Sequence, residues 1–276
     1  MYNIKTYVDS KFLIDSDKRE ISFKYDINDM HLSSYLYIKN NTNKLFVVLN
    51  GALGNNRTTA LTYQRYSWHP LFSGSVLYIA DPTLFKYDLL SLGWYMGDKY
   101  TPIYPYLVDF ILAVCENLKL QPSNVILYGS SGGGFSALQL ASYIGNKALA
   151  VAINPQTNII EYPYNHRDNF LAQCFSASKN DYEMLSSNRH FNAIENIKMN
   201  NTKILYIQND LDTFHVKHHF YPLIEAMDIQ HWKKTFTIDE ENKSNIQILW
   251  YSHESGHAAE PKESLPEIMT AIDYMV

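Results

Sequence analysis

Short runs of apolar residues alternate along this chain with stretches in which apolar side chains recur every three or four positions. That is the pattern of buried parallel strands joined by crossover helices. The runs predict strands over 45–50, 76–80, 125–129, 148–153, 204–208 and 246–251. Upstream of about Lys39 the pattern becomes apolar-polar alternation, as in Ile21-Ser-Phe-Lys-Tyr25 and Tyr35-Leu-Tyr-Ile38, which predicts antiparallel strands at one sheet edge. The expected fold class is α/β: a mostly parallel sheet of about eight strands with helices on both faces. Leu107, Ile111, Val114 and Leu118 share one helical face and predict a right-handed crossover helix before the strand at 125. Near the end, Ser264 and Glu267 form a capping-box pattern ahead of Ile268, Met269 and Ile272, predicting a last helix packed on the sheet.

Two stretches do not fit strand-helix alternation. Residues 81–106 carry Tyr87, Trp94, Tyr95, Tyr100, Tyr104 and Tyr106 with Gly93 and Gly97, and 157–200 is polar and mixed. Long excursions in a compact domain are usually functional, so both are expected as loops or a small cap on one domain spanning 1–276.

Composition narrows the picture. With 46% hydrophobic and 18% charged residues a packed core is expected. The net charge of −5 comes with no dense Lys/Arg stripe, which argues against nucleic acid as a partner. The first residues lack a basic-then-apolar leader and no apolar run approaches the roughly 18 residues of a membrane span, so a soluble, cytoplasmic chain is expected. Cys115 and Cys174 have no companion at zinc-site spacing and are expected as buried thiols. Nothing in the sequence speaks to oligomeric state.

The chemistry concentrates in Val125-Ile-Leu-Tyr-Gly-Ser-Ser-Gly-Gly-Gly-Phe135, an apolar strand running into a glycine-rich turn and then a helix. Gly129-Ser130-Ser131-Gly132-Gly133 matches G-x-S-x-G in the strand-turn-helix setting that the motif requires. A serine on so sharp a turn leaves no room for side chains two positions away. Ser131 has Gly129 and Gly133 there, whereas Ser130 has Tyr128, so Ser131 is the candidate nucleophile. The Gly132 amide, at a helix N-terminus, is the candidate oxyanion donor. A phosphate loop is disfavoured because no Lys follows in G-K-[ST] form and G-x-G-x-x-G is absent. An acid and a histidine should follow in that order. Asp210 and Asp212 lie just past the strand at 204–208, and His253 and His257 past the strand at 246–251. Asp212, His215 and His219 fall at helical spacing, which metal ligands also use; solvated histidines are the expected reading, with no metal.

Strand pattern, elbow, acid loop and histidine loop together resemble the α/β-hydrolase superfamily over roughly residues 40–276. The resemblance implies Asp212 as the acid, by its distance past the strand, and His257 as the base, by its Gly256 and Ala258 neighbours. Asn50-Gly51-Ala52 resembles the family's His-Gly-X turn, with Asn at the histidine position, and implies the Ala52 N–H as second oxyanion donor. More loosely, the chain is similar to bacterial polysaccharide O-acetyltransferases and carbohydrate O-acetyl esterases. That implies acyl transfer to a carbohydrate or small-ester partner, with acetyl-CoA as a candidate donor and no bound cofactor. Tyr87, Trp94, Tyr95 and Tyr100 are then the expected substrate platform. From another class, a binding protein that kept the fold and lost its chemistry is the competing reading, prompted by Asn50 and the aromatic insertion.

Overall fold

The structure is a computed structural model that describes residues 19–54, 60–145, 147–162, 165–242 and 244–276. Residues 1–18, where a leader was sought, lie outside the described residues.

Eight strands among the described residues form one sheet: β1 (Glu20–Ile27), β2 (Met30–Tyr37), β3 (Leu45–Leu49), β4 (Ser75–Ile79), β5 (Val125–Ser130), β6 (Leu149–Ile153), β7 (Lys203–Asn209) and β8 (Ile246–Tyr251). Their order is β1-β2-β4-β3-β5-β6-β7-β8. From β4 to β8 all neighbours are parallel, while β1 and β2 pair antiparallel and β2 joins β4 antiparallel. The sequence pattern follows from this. Strands β3, β4, β5 and β6 are buried at every residue, so they read as continuous apolar runs. The edge strand β1 has exposed residues and reads as alternation. Asn28, at φ 55, lets the chain turn between β1 and β2, a conformation that Asn tolerates.

Helices cover both faces. Leu45, Val47 and Leu49 point to one side, where they join a cluster with α1 (Tyr104–Asn117), α2 (Gly132–Ile144) and α3 (Ala193–Asn200). Phe46 and Val48 point to the other, where Leu265, Ile268, Met269 and Ile272 of α4 (Leu265–Met275) meet them. The capping box before α4 is not formed. A 3₁₀ turn at Lys262–Ser264 precedes the helix and carries Ser264 into the helical region (φ −79, ψ −8), so its hydroxyl caps nothing. Both cysteines are free and buried.

Most of residues 81–106 packs into the core, with Asp88, Leu89, Lys99 and Tyr100 left exposed. Trp94, Tyr95 and Met96 are fully buried, and Asp81 accepts from the amides of Thr83 and Tyr95 (2.9 and 3.0 Å). Asp98 takes Lys86 Nζ, the Tyr87 hydroxyl and the amides of Tyr100 and Thr101. Among the described residues no helix is long and apolar enough to cross a membrane.

Candidate active site

The C-terminal ends of the parallel strands gather on one edge of the sheet, the edge where such folds place their ligands. Strand β5 delivers Ser131 there. Its backbone sits at φ 54, ψ −120, an arrangement costing on the order of 1–3 kcal/mol that the surroundings must impose. They do so by close packing. A Cβ on Gly129 would lie 2.5 Å from the Gly133 carbonyl, and one on Gly133 would lie 2.6 Å from the Leu49 carbonyl oxygen. The Ser131 N–H donates to Ile153 O at 2.9 Å, tying the turn to the end of β6.

From the other side come loops after β7 and β8. Asp212 follows β7, caps the next helical turn by accepting the His215 amide, and is nearly fully buried. His257 follows β8 on a loop held by two buried asparagines. Asn209 Nδ2 donates to the carbonyls of His253 and Gly256, both at 2.7 Å, and Asn154 Nδ2 donates to Ala258 O at 2.8 Å. Asn154 Oδ1 also accepts the Asn209 amide at 2.6 Å, so one polar lattice fixes both loops. The result brings three predicted residues together: His257 Nδ1 lies 2.7 Å from Asp212 Oδ2, and His257 Nε2 lies 2.9 Å from Ser131 Oγ. The alternatives lie apart. Asp210 accepts from the Ser252 hydroxyl, and the His253 ring faces Ser255.

Three further side chains complete a closed set of hydrogen bonds. Gln156 Nε2 stands 3.0 Å from both Ser131 Oγ and His215 Nε2, and its Oε1 lies 3.2 Å from the indole Nε1 of Trp94. An indole N–H only donates, which fixes the carboxamide with its oxygen toward Trp94 and its NH₂ toward Ser131 and His215. His215 must then accept at Nε2 and donate from Nδ1, and Nδ1 indeed faces Asp212 Oδ1 at 3.1 Å. His215 also stacks on His257, ring centroids 3.8 Å apart and planes within 3°. Burial pushes the Asp212 carboxyl up, but the hydrogen bonds from His215 and His257 outweigh it and hold the group well below the ordinary carboxylate range. Burial lowers His215, more than its bond to Asp212 raises it.

His215 and His219 were expected in solvent and are instead buried, at 1% and 0% exposure, because the helical turn after Asp212 faces inward. Ligand atoms of Asp212, His215 and His257 lie within 4.8 Å of one another, but both Nδ1 atoms face Asp212 oxygens in hydrogen-bonding geometry. His219 adds no ligand atom to this group: its ring lies beside that of His215, centroids 4.9 Å apart, and its Nδ1 takes the Thr157 amide.

A cavity of about 400 Å³ opens over Ser131 and His257, lined also by Gly51, Ala52, Gln64, Arg65, Trp68 and Ala258. Gln64 braces its oxyanion-side loop: Oε1 accepts the Gly51 amide and Nε2 donates to Ala52 O. Asn50 supports the same loop, bonding Thr62 O and the Gln64 amide. Arg65 is bound to Glu260 through Nε and Nη2 at 2.7 and 2.5 Å, with Tyr128 donating to the same carboxylate. The expected aromatic platform is not on this cavity. Trp94 and Tyr95 are fully buried, the Tyr87 hydroxyl is bound to Asp98, and Tyr100 is exposed beside Lys99. Trp94 acts on the site from beneath, through Gln156. Gln156, Arg65, Glu260, Asn154, Asn209 and the site role of His215 are not evident from the sequence. Asn154 and Gln156 flank Pro155 in the loop after β6, Asn209 is the polar end of β7, and no motif marks any of them.

No family model and no curated protein matches the chain. Its structure is similar to the capsule O-acetyltransferase of Neisseria meningitidis serogroup A, at 15% identity and TM-score 0.61, over 90% of this chain and 92% of that one. A variant of that enzyme was solved in complex with CoA. An acetyl xylan esterase from Paenibacillus sp. R4 aligns at 15% identity and TM-score 0.55, over 98% and 92% of the two chains. An S-formylglutathione hydrolase from Agrobacterium tumefaciens aligns at 12% identity and TM-score 0.60, over 93% of each.

Proposed function

Because the chain has the α/β-hydrolase fold, we propose that it is a serine-nucleophile acyl-transfer enzyme that moves an acetyl group onto a hydroxyl of a bacterial polysaccharide. One observation carries this reading: Asp212, His257 and Ser131 are hydrogen-bonded in series at 2.7 and 2.9 Å, with the serine held at φ 54. In the proposed reaction His257 Nε2 takes the Ser131 proton as Oγ attacks the acyl carbonyl, and Asp212 stabilises the imidazolium. The Gly132 and Ala52 amides are the proposed donors to the oxyanion; the Gly51 amide is already committed to Gln64. The imidazolium gives that proton to the leaving thiolate as the acyl–sulfur bond of the donor breaks. His257 next takes the proton of the acceptor hydroxyl as its oxygen bonds to the acyl carbon, and the carbon–Oγ bond breaks with His257 returning a proton to Oγ.

The likeness to a capsule O-acetyltransferase, a variant of which was solved in complex with CoA, supports acetyl-CoA as donor. The His257 side chain is 31% exposed, so water also reaches the base, and this favours an O-acetyl esterase as the second reading. The binding-protein reading asks for a histidine turned away from the serine, and the 2.9 Å contact argues against it. Incubation with acetyl-CoA and bacterial glycans separates the first two. Glycan-dependent CoA release with acetylated product, absent in Ser131→Ala, is expected. Acetate release from an acetylated glycan with no donor requirement would replace transfer by hydrolysis.

A further inference from the structure

Resting on the reading of Ser131 as nucleophile, we propose that Gln156 is a catalytic residue that donates a standing hydrogen bond to the oxygen that leaves when the acyl-enzyme is resolved, with Trp94 and His215 as its positioning residues.

A serine hydroxyl has one proton and two lone pairs. The proton goes to His257 Nε2, and one lone pair accepts from Gln156 Nε2 at 3.0 Å. A single lone pair is left to attack, so the carboxamide also fixes its direction. Its orientation is not free. Turned over, Gln156 would set its NH₂ against the donor-only indole of Trp94, at 3.2 Å and fully buried, and the cost of an unpaired buried donor is about 1–3 kcal/mol. The remaining N–H is taken by His215 Nε2, whose other nitrogen is held on Asp212. Trp94 on one side and the Asp212-bound His215 on the other thus clamp the donor on Oγ.

The two half-reactions use this bond differently. During acylation Oγ gives up its lone pair, and a donor on Oγ opposes that slightly. During deacylation the acceptor oxygen bonds to the acyl carbon, the carbon–Oγ bond breaks with its electron pair going to Oγ, and His257 returns the proton there. A donor already on Oγ stabilises that developing charge. The assignment therefore predicts an asymmetric defect: attack spared, release slowed.

The test uses 4-nitrophenyl acetate for deacylation and a fluorophosphonate for attack. In Gln156→Leu, labelling of Ser131 stays within a few-fold of wild type, while the steady-state rate after the nitrophenolate burst falls about ten-fold, the scale of one lost hydrogen bond. Trp94→Phe, which keeps a buried ring and frees the carboxamide, shows the same asymmetry to a smaller degree. Gln156→Glu guards against a merely structural effect. Its carboxyl can donate to Oγ only when protonated, so the ratio of variant to wild-type deacylation rises as pH falls. Equal losses in labelling and deacylation, or a pH-independent Gln156→Glu ratio near one, would overturn the assignment while Ser131 continued to label. A wild type that neither labels nor shows a burst would remove the nucleophile reading and this one with it.

Discussion

The two halves of the candidate site are built by different means. The nucleophile half, β5 with the start of α2, is held by contact: glycines at 129, 132, 133 and 134 sit where a Cβ would come within about 3 Å of other atoms, most of them backbone. The acid-base half, the loops after β7 and β8, is held by polar side chains. Asn154, Asn209, His215 and the Arg65–Glu260 pair join segments up to 195 residues apart in sequence. The first half tolerates no added volume. The second tolerates no lost hydrogen bond, since each buried polar group left alone costs about 1–3 kcal/mol.

Asp212→Asn breaks the polar half at its centre and should have the largest effect. The variant amide cannot accept from both histidines and favours the wrong His257 tautomer, so kcat on 4-nitrophenyl acetate is expected to fall about 10⁴-fold. A loss below ten-fold would mean that Asp212 does not hold the base. Gly133→Ala attacks the other half with one methyl group placed 2.6 Å from a backbone oxygen. Overpacking of this kind costs about 1–3 kcal/mol, read as a lower urea midpoint, and it should displace Ser131 as well. An unchanged midpoint would show that the elbow is looser than its geometry.

This contrast also explains what the sequence disclosed. Strands β3 to β6 were legible because burial at every residue writes a near-continuous apolar run, β7 and β8 because a buried glutamine barely interrupts theirs, and the elbow because contact at Gly129 and Gly133 forbids any side chain. In the acid-base half, place after a strand narrowed the acid to Asp210 or Asp212 and the base to His253 or His257, and the family resemblance chose Asp212 and His257. Their supports could not be found this way. Asn154, Gln156 and Glu260 are polar letters in loops, and only the fold brings Gln156 to Ser131 or Glu260 to Arg65. The aromatic insertion misled for a related reason: tyrosine and tryptophan are as much core residues as ligand platforms, and Trp94 and Tyr95 went inside.

The smallest predicted effect comes from the buried imidazoles. Burial holds both His215 and His219 below the ordinary histidine value, with His215, His218 and His257 lowering His219 further and Asp212 raising it. The unfolded chain therefore binds protons that the folded chain refuses. Stability is full above about pH 6.5 and declines below it, by up to ~1.4 kcal/mol per pH unit for each such group. Asp212, held low, adds a decline only below about pH 3.9. His219→Phe should flatten the loss of melting temperature between pH 6.5 and 5; an unchanged slope would assign it to other groups.

The central claim is that Ser131 is an activated nucleophile, and the most direct measurement is its covalent capture. The folded protein should react with a fluorophosphonate to give one adduct, mapped by mass spectrometry to the peptide containing Ser131. His257→Ala should slow the reaction by orders of magnitude. An unmodified folded protein, an adduct on Ser130, or labelling indifferent to His257 would contradict the account.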